Sequence, residues 1–204
     1  MIKFTEFNVC AVISTAAELK KSKDGNSTFL SFGVKVTVKG RDGAEKELPI
    51  SVSVDGDKGD LGVYTVGKRV DITGVVNVRR RDGISYYNLR ADKVDFVSTS
   101  EPDKIGGKVE FQGKISRNGI DEKNDRNGNP FKAFSAFSSE KVGDKFESVW
   151  IRFLYFKPKD GEDFLKADAW VKCSGDLRLS VFREAVTIEC LLTAVEPWIL
   201  DKKK

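Results

Sequence analysis

The chain has 204 residues, 40% of them hydrophobic and 32% charged, with a net charge of +4 and no histidine. That length suits one large domain or two of about 100 residues, and the composition is that of a folded chain rather than a disordered or fibrous one. Without imidazole the usual proton shuttle and the commonest metal ligand are missing, which disfavours many enzyme classes at once; so mild a basic excess leaves the placement of charge to decide what the surface attracts.

Alternating apolar and polar residues dominate, in runs of about eight to twelve broken by Gly, Asp and Asn clusters, which is the pattern of half-buried strands. In the first half it predicts strands over 7–15, 28–39, 46–54, 68–80 and 85–97, with hairpin turns at Arg41-Asp42-Gly43 and Arg81-Asp82-Gly83. The stretch from Asp55 to Val66 does not alternate and reads as a loop or a short helix. Five strands with an irregular insert after the third are the inventory of an OB fold, a five-stranded Greek-key barrel.

The second half repeats that inventory, with strands predicted over 107–117, 131–142, 145–157, 168–182 and 185–196 and a non-periodic insert around Lys157–Lys166. The repeat is also visible in letters: Ala11-Val12-Ile13-Ser14 aligns with Gly113-Lys114-Ile115-Ser116, Phe29 and Phe32 with Phe131 and Phe134, and Val70-x-Ile72-x-Gly74 with Val171-x-Cys173-x-Gly175. The expected architecture is therefore all-β, two tandem OB folds spanning 1–98 and 107–204. The stretch 99–106, part of the STSEPDKIG run from Ser98, has the composition of a linker.

Strand parity singles out one segment. If Val149, Ile151, Phe153 and Tyr155 face the barrel interior, then Trp150, Arg152, Leu154 and Phe156 face outward. The opposite phase strands Arg152 among apolar residues, and burying an unpaired guanidinium is expensive. Large aromatics around a cation on an open face suit stacking on flat π-systems, with Arg free to stack or to neutralise an anion. In the preceding strand Phe32 and Phe134 share parity with Val34 and Ala136 and belong to the core. Phe137 faces outward, either for stacking or for a domain interface, and Phe29 is compatible with either side of a bulge.

Val66-Gly67-Lys68-Arg69-Val70-Asp71-Ile72-Thr73-Gly74, followed by Val76, Arg79 and a turn into Tyr86, resembles the fourth strand of the bacterial and phage single-stranded DNA-binding protein family, which reads KGxxVxIxG ahead of an Arg-bearing hairpin. Glu18-Leu19-Lys20 and Asp24-Gly25 resemble that family's first hairpin, and Trp150-Ile151-Arg152-Phe153-Leu154-Tyr155-Phe156 resembles its third-strand W-x-R-x-x-x-F. Gly175-Asp176-Leu177-Arg178 leads to Phe182, where the family often carries a tryptophan on its long hairpin. The resemblance implies a non-catalytic protein that coats single-stranded DNA with little sequence preference during replication or recombination. Trp150, Phe156 and Phe182 would stack on bases and Arg152 and Arg178 would meet phosphates, with Phe137 and Lys132 as further contacts.

The first half departs from that pattern. Its third strand, Glu47 to Val54, carries no aromatic, and Pro49 suggests an edge position. Its expected contribution is Arg79, Arg80 and Arg81 with Tyr86 or Tyr87, unless that run is merely a solvated turn; the first domain would then bind mainly by charge or serve oligomerisation. The family's acidic C-terminal tail, which recruits replication and repair enzymes, has no counterpart in Leu200-Asp201-Lys202-Lys203-Lys204. A compact chain of this kind suits a phage or mobile element acting in the host cytoplasm. RNA stays open beside DNA, because stacking platforms accept both, as do a homodimer and replication or recombination partners. The alternative is a tandem OB module of a replisome or virion that contacts only protein through the same aromatics.

Other chemistry finds little footing. Cys10, Cys173 and Cys190 are odd in number, far apart and embedded in apolar runs, so they read as reduced packing residues rather than disulfides or zinc ligands. Asp55-Gly56-Asp57-Lys58-Gly59-Asp60 lacks the Gly and Glu that a calcium loop needs at its sixth and twelfth positions. Asp121, Glu122 and Asp125 lie in a Gly/Asn-rich turn rather than a two-metal cluster. No phosphate-cradling Gly loop and no nucleophile with a base partner appears, so neither a cofactor nor catalysis is expected. No apolar run approaches the roughly 18 residues of a membrane span, and MIKFTEFNV lacks the basic-then-apolar order of a signal peptide, which points to a cytoplasmic protein.

Overall fold

Among the described residues the alternation resolves into ten strands: β1 (Ile2–Lys21), β2 (Thr28–Lys39), β3 (Glu45–Asp55), β4 (Arg69–Arg81), β5 (Ile84–Phe96), β6 (Lys104–Asn124), β7 (Pro130–Val142), β8 (Lys145–Tyr155), β9 (Trp170–Phe182) and β10 (Ala185–Pro197). The computed structural model describes residues 1–40, 42–81, 83–159 and 161–199; the turn positions Arg41 and Asp82, Asp160 of the second insert and the basic end Leu200–Lys204 lie outside the described residues. β1 and β6 run well past the predicted spans. Each shifts register against its neighbour, between Ile13 and Thr15, between Thr15 and Glu18, and between Ile115 and Ile120. A bulge re-phases the side chains while pairing continues, so alternation breaks where the strand does not.

The strands close into two barrels of one topology. The first runs β2-β3-β5-β4-β1 and is closed by β1 pairing with β2; its β3–β5 contact is parallel, Ile50 opposite Tyr87 through Ser53 opposite Arg90. The second runs β6-β7-β8-β10-β9 and is closed by β6 pairing with β9, with β8–β10 parallel from Ile151 opposite Ile188 to Leu154 opposite Leu191. Both are OB folds. The repeat holds down to single bonds: the Ile13 N–H donates to the Lys68 carbonyl at 2.8 Å, and Ile115 N–H to the Ala169 carbonyl at 2.9 Å. The shared Gly74 and Gly175 are required sterically, since a Cβ there would sit 2.1 Å from the Arg90 carbonyl oxygen and 2.0 Å from that of Leu191.

Two compact units result. Among the described residues, one comprises Phe4–Gly107 together with Leu179–Val186, the other Met1–Lys3, Lys108–Arg178 and residues 187–199. In the first, Phe7, Ile13, Leu30, Ile50, Ile72 and Leu89 form the buried centre. Tyr64 of the insert stacks on Phe32 at 4.8 Å. In the second, Phe111 packs edge-on to Phe153 and Phe134 stacks on it, both at 5.1 Å between ring centres. Pro49 sits inside a strand that is paired on both sides. It precedes Ile50, where pairing with β5 begins, so its missing N–H costs the ladder nothing.

The stretch read as a linker is structured. Lys104–Gly106 already belongs to β6, and the Asp103 carboxylate accepts from the Thr37 N–H at 2.7 Å and pairs with the Arg69 guanidinium. The acid-rich turns organise themselves: Asp57 accepts from Gly59 N–H at 2.7 Å while Asp60 accepts from Asp57 N–H, and Asp125 accepts from the Asn127 and Asn129 amides. Asp121–Asn124 continue β6 rather than forming part of the turn. The three cysteines are free and buried, and burial pushes the Cys190 thiol up to about 12.

The β9–β10 turn carries Arg183 at φ 47° and Glu184 at φ 62°, both in the left-handed region that a two-residue hairpin requires and that Asn-Gly satisfies without strain. Changing the pair to Arg183→Asn with Glu184→Gly is expected to stabilise the protein by about 1 kcal/mol in urea unfolding. Lys46 still reaches the carbonyl of residue 184, which it now meets at 2.5 Å. A loss of stability would show that the cation–π contact of Arg183 on Phe182 outweighs the backbone strain.

Candidate nucleic-acid interface

The second unit collects its exposed aromatics on one face. β7 and β8 are antiparallel with Phe137 opposite Trp150, Ser135 opposite Arg152 and Ala133 opposite Leu154. Facing residues of such a pair point to the same side. Phe137 and Trp150 rings meet at 4.8 Å, and past the end of the ladder Phe131 and Phe156 stack at 4.9 Å. Trp150 is 45% exposed and Phe156 44%, while Ile151, Phe153 and Tyr155 are buried, so the outward phase of Trp150 is the one adopted. Leu154 breaks the expected alternation: it is buried, registered between Ala133 and Leu191. Six residues at about 3.3 Å per residue set the two aromatic pairs roughly 20 Å apart along β8.

The row also extends across the sheet. Lys114 of β6 lies opposite Phe137 on one side and opposite Trp170 of β9 on the other, so that Trp170, Lys114, Phe137 and Trp150 form a transverse line over four strands. Trp170 is 41% exposed and meets Trp198 edge-on at 5.4 Å. The candidate list from sequence omitted Trp170, Trp198 and Lys114. Parity contained the signal for the first, because Trp170 alternates with Val171 and Cys173, which are buried.

Below this line lies a cleft of about 570 Å³ lined by Lys114, Ser116, Arg117, Asn118, Ser135, Phe137, Trp150 and Asp168. Asp168 pairs with Lys114 at 2.6 Å. That hydrogen bond, with Arg117 nearby, holds the Asp168 carboxyl below its ordinary range. Arg152 lies opposite Glu189 of β10, 3.8 Å away; Glu189 is 6% exposed, so the guanidinium is steered from the side by a buried carboxylate and keeps 40% of its side chain open. The face thus offers flat rings, one steered cation and a cation-lined cleft, which is the equipment of a site that tracks a single strand.

The remaining candidates disperse. Lys132 is opposite Tyr155, on the side that carries Phe134 and Phe153, and not on the aromatic row. Arg178 is exposed on the side of β9 that carries Trp170, but eight residues away, about 26 Å along the strand. Phe182, 58% exposed, belongs with the other unit. In that unit Arg79 and Tyr86 are direct cross-strand partners on the β4–β5 hairpin, exposed together, with Arg81 opposite Ile84. Tyr87 is buried and burial raises its phenol to about 12, so the hairpin's exposed ring is Tyr86. Among the described residues no group of three or more Cys, Asp or Glu is placed to hold a metal.

Paired five-stranded barrels, one bearing a basic and aromatic face, place the chain in the tandem OB-fold class. No protein-family model matches the sequence, and no curated protein matches it either. The fold is similar to the crystal structure of wild-type single-stranded DNA-binding protein from Thermus aquaticus, with a TM-score of 0.50, 13% identity, and coverage of 99% of this chain and 96% of that chain. A deletion mutant of the same Thermus protein gives a TM-score of 0.50, 14% identity, and coverage of 98% and 97%. At such identities the likeness is one of fold. Among the described residues no helix is long and apolar enough to cross a membrane.

Proposed function

We propose that this chain binds and coats single-stranded DNA with little sequence preference during replication or recombination, without catalysing a reaction. The observation that carries the reading is the continuous face of Trp170, Lys114, Phe137, Trp150, Arg152 and Phe156 on one barrel. Exposed rings in such number are costly unless used. Every base has a π-face, so stacking on Trp150, Phe137 and Phe156 binds without reading sequence, while Lys114 and Arg152 neutralise phosphates. The Arg79–Tyr86 hairpin, with Arg81 and Phe182, is the contribution of the first unit, and Arg178 and Lys132 are marginal contacts of the second. The similarity in fold to a bacterial single-stranded DNA-binding protein supports the same reading. We place the protein in the cytoplasm of the cell in which it acts, as a monomer or homodimer beside replication or recombination proteins.

All three tryptophans, Trp150, Trp170 and Trp198, lie in the second unit, so intrinsic fluorescence reports on this face alone. Titration with oligo(dT) is expected to quench it strongly, and duplex DNA weakly. Rising salt should relieve the quenching only in part, because counterion release is lost and stacking is retained. Absence of both quenching and binding would discard the reading. It would favour instead a protein partner, contacted through the same exposed aromatics, Trp150, Phe156 and Trp170 among them.

A further inference from the structure

The two barrels can be compared position by position. Val12 of β1 lies opposite Lys35 of β2 and opposite Arg69 of β4, and Lys35 lies opposite Pro49 of β3. The line Arg69, Val12, Lys35, Pro49 in the first unit is therefore the counterpart of Trp170, Lys114, Phe137, Trp150 in the second. Two of the three rings are replaced by cations, Trp170 by Arg69 and Phe137 by Lys35, and each cation is matched by an acid of its own chain: Lys35 by Glu47 at 2.9 Å, Arg69 by Asp103. A cleft of about 300 Å³ lies between them, lined by Val12, Ser14, Lys35, Val36, Thr37, Glu47, Arg69 and Asp103.

Asp103 is held as a bound anion would be. One carboxylate oxygen accepts from the Thr37 backbone N–H and the other from the Arg69 guanidinium. The N–H is available because β1 pairs with β2 only as far as Lys35, which leaves the next inward-turned donor of that edge without a strand partner. Arg69 is 8% exposed and its Nε has no partner, a second donor left over in the same place. A backbone amide with a buried guanidinium is the donor set that recognises a phosphate oxygen as readily as a carboxylate. Burial opposes ionisation of Asp103, and the Thr37 and Arg69 hydrogen bonds outweigh it and keep the carboxyl below its ordinary range.

We propose that the Arg69–Thr37 site is a phosphodiester-binding site of the first unit, closed in this state by the chain's own Asp103. A single-stranded nucleic acid would gain an electrostatic foothold on the first unit when the segment bearing Asp103 is displaced. This proposal rests on the single-strand-binding reading for the source of the phosphate, though not for the existence of the anion site.

The test uses the full chain, isotopically labelled, with Asp103→Ala and Asp103→Asn. In Asp103→Ala, inorganic phosphate at millimolar concentration is expected to shift the Thr37 amide resonance saturably, while the unsubstituted protein stays unmoved. For oligo(dT), the slope of log K against log salt should steepen by about 0.7 for the added phosphate contact. A Thr37 amide indifferent to phosphate in the folded variant overturns the proposal. Should Asp103→Ala not fold, Asp103→Asn keeps an oxygen for Thr37 but loses the charge that pairs with Arg69, so phosphate is expected to displace it and shift the Thr37 amide at higher concentration, and an amide still unmoved in that variant overturns the proposal. Failure of both to fold makes Asp103 a structural clamp and also overturns it. If the unsubstituted chain ignores oligo(dT) but the variant takes up phosphate, the coating function falls and the anion site stands; the reverse result removes the anion site alone.

Discussion

Replacing Trp150 and Phe156 together by alanine is expected to weaken oligo(dT) binding about thirtyfold to twenty-thousandfold, since each stacked base contributes roughly 1–3 kcal/mol. Both side chains are nearly half exposed, so the barrel core is not opened by their loss. The substitution does remove the contacts that Trp150 makes to Phe137 and Phe156 to Phe131. Circular dichroism should be unchanged and the residual affinity should become strongly salt-dependent, because only phosphate contacts remain. Trp170→Ala is expected to produce a smaller loss of the same kind, as one ring of the transverse line. A folded double variant with undiminished affinity would show that the aromatic face is not where the strand runs. The assignment would then move to the Arg79–Tyr86 hairpin.

Phe153→Ala is expected to cost about 3–5 kcal/mol, the range for deleting a buried aromatic ring. Its ring is fully buried, stacked on Phe134 and met edge-on by Phe111, so removal leaves a cavity that two other rings line and that a β-barrel has little freedom to collapse. With two compact units the chain need not unfold in one step. Urea unfolding should show the loss in the transition reported by tryptophan fluorescence, since all three tryptophans belong to the affected unit. Far-ultraviolet dichroism should retain a component at the original midpoint. A loss below about 1 kcal/mol would mean that the two remaining rings, Phe111 and Phe134, repack around the gap.

Much of the site was legible because β-structure writes its two faces into alternate letters. Once Ile151 and Phe153 are assigned inward, Trp150 and Phe156 must point out, and the cost of burying Arg152 chooses between the two phases. The same rule failed at Leu154, where the face it shares with Ala133 and Leu191 is covered despite its outward parity. It spoke against Lys132, which shares a side with the core residue Phe134 and entered the candidate set on its charge alone. Strand ends were the least legible part: bulges at Ile13–Glu18 and Ile115–Ile120 interrupt the alternation while hydrogen bonding goes on, so β1 and β6 were read as half their length.

By itself the sequence determined that the chain is all-β, that it repeats, and that each repeat carries five strands with an insert after the third. Those properties follow from local periodicity and turn chemistry, which a linear string contains in full. It also determined the outward set on β8, because parity within one strand is local. The tertiary structure alone decided that Trp170 and Lys114 complete a line with Phe137 and Trp150, that Arg178 lies apart from it, and that Phe182 belongs to the other unit. It alone decided that Asp103 of the supposed linker occupies the corresponding line of the first barrel. These are matters of register between strands far apart in sequence. Register is set by barrel closure and bulges, quantities to which no single segment holds the key.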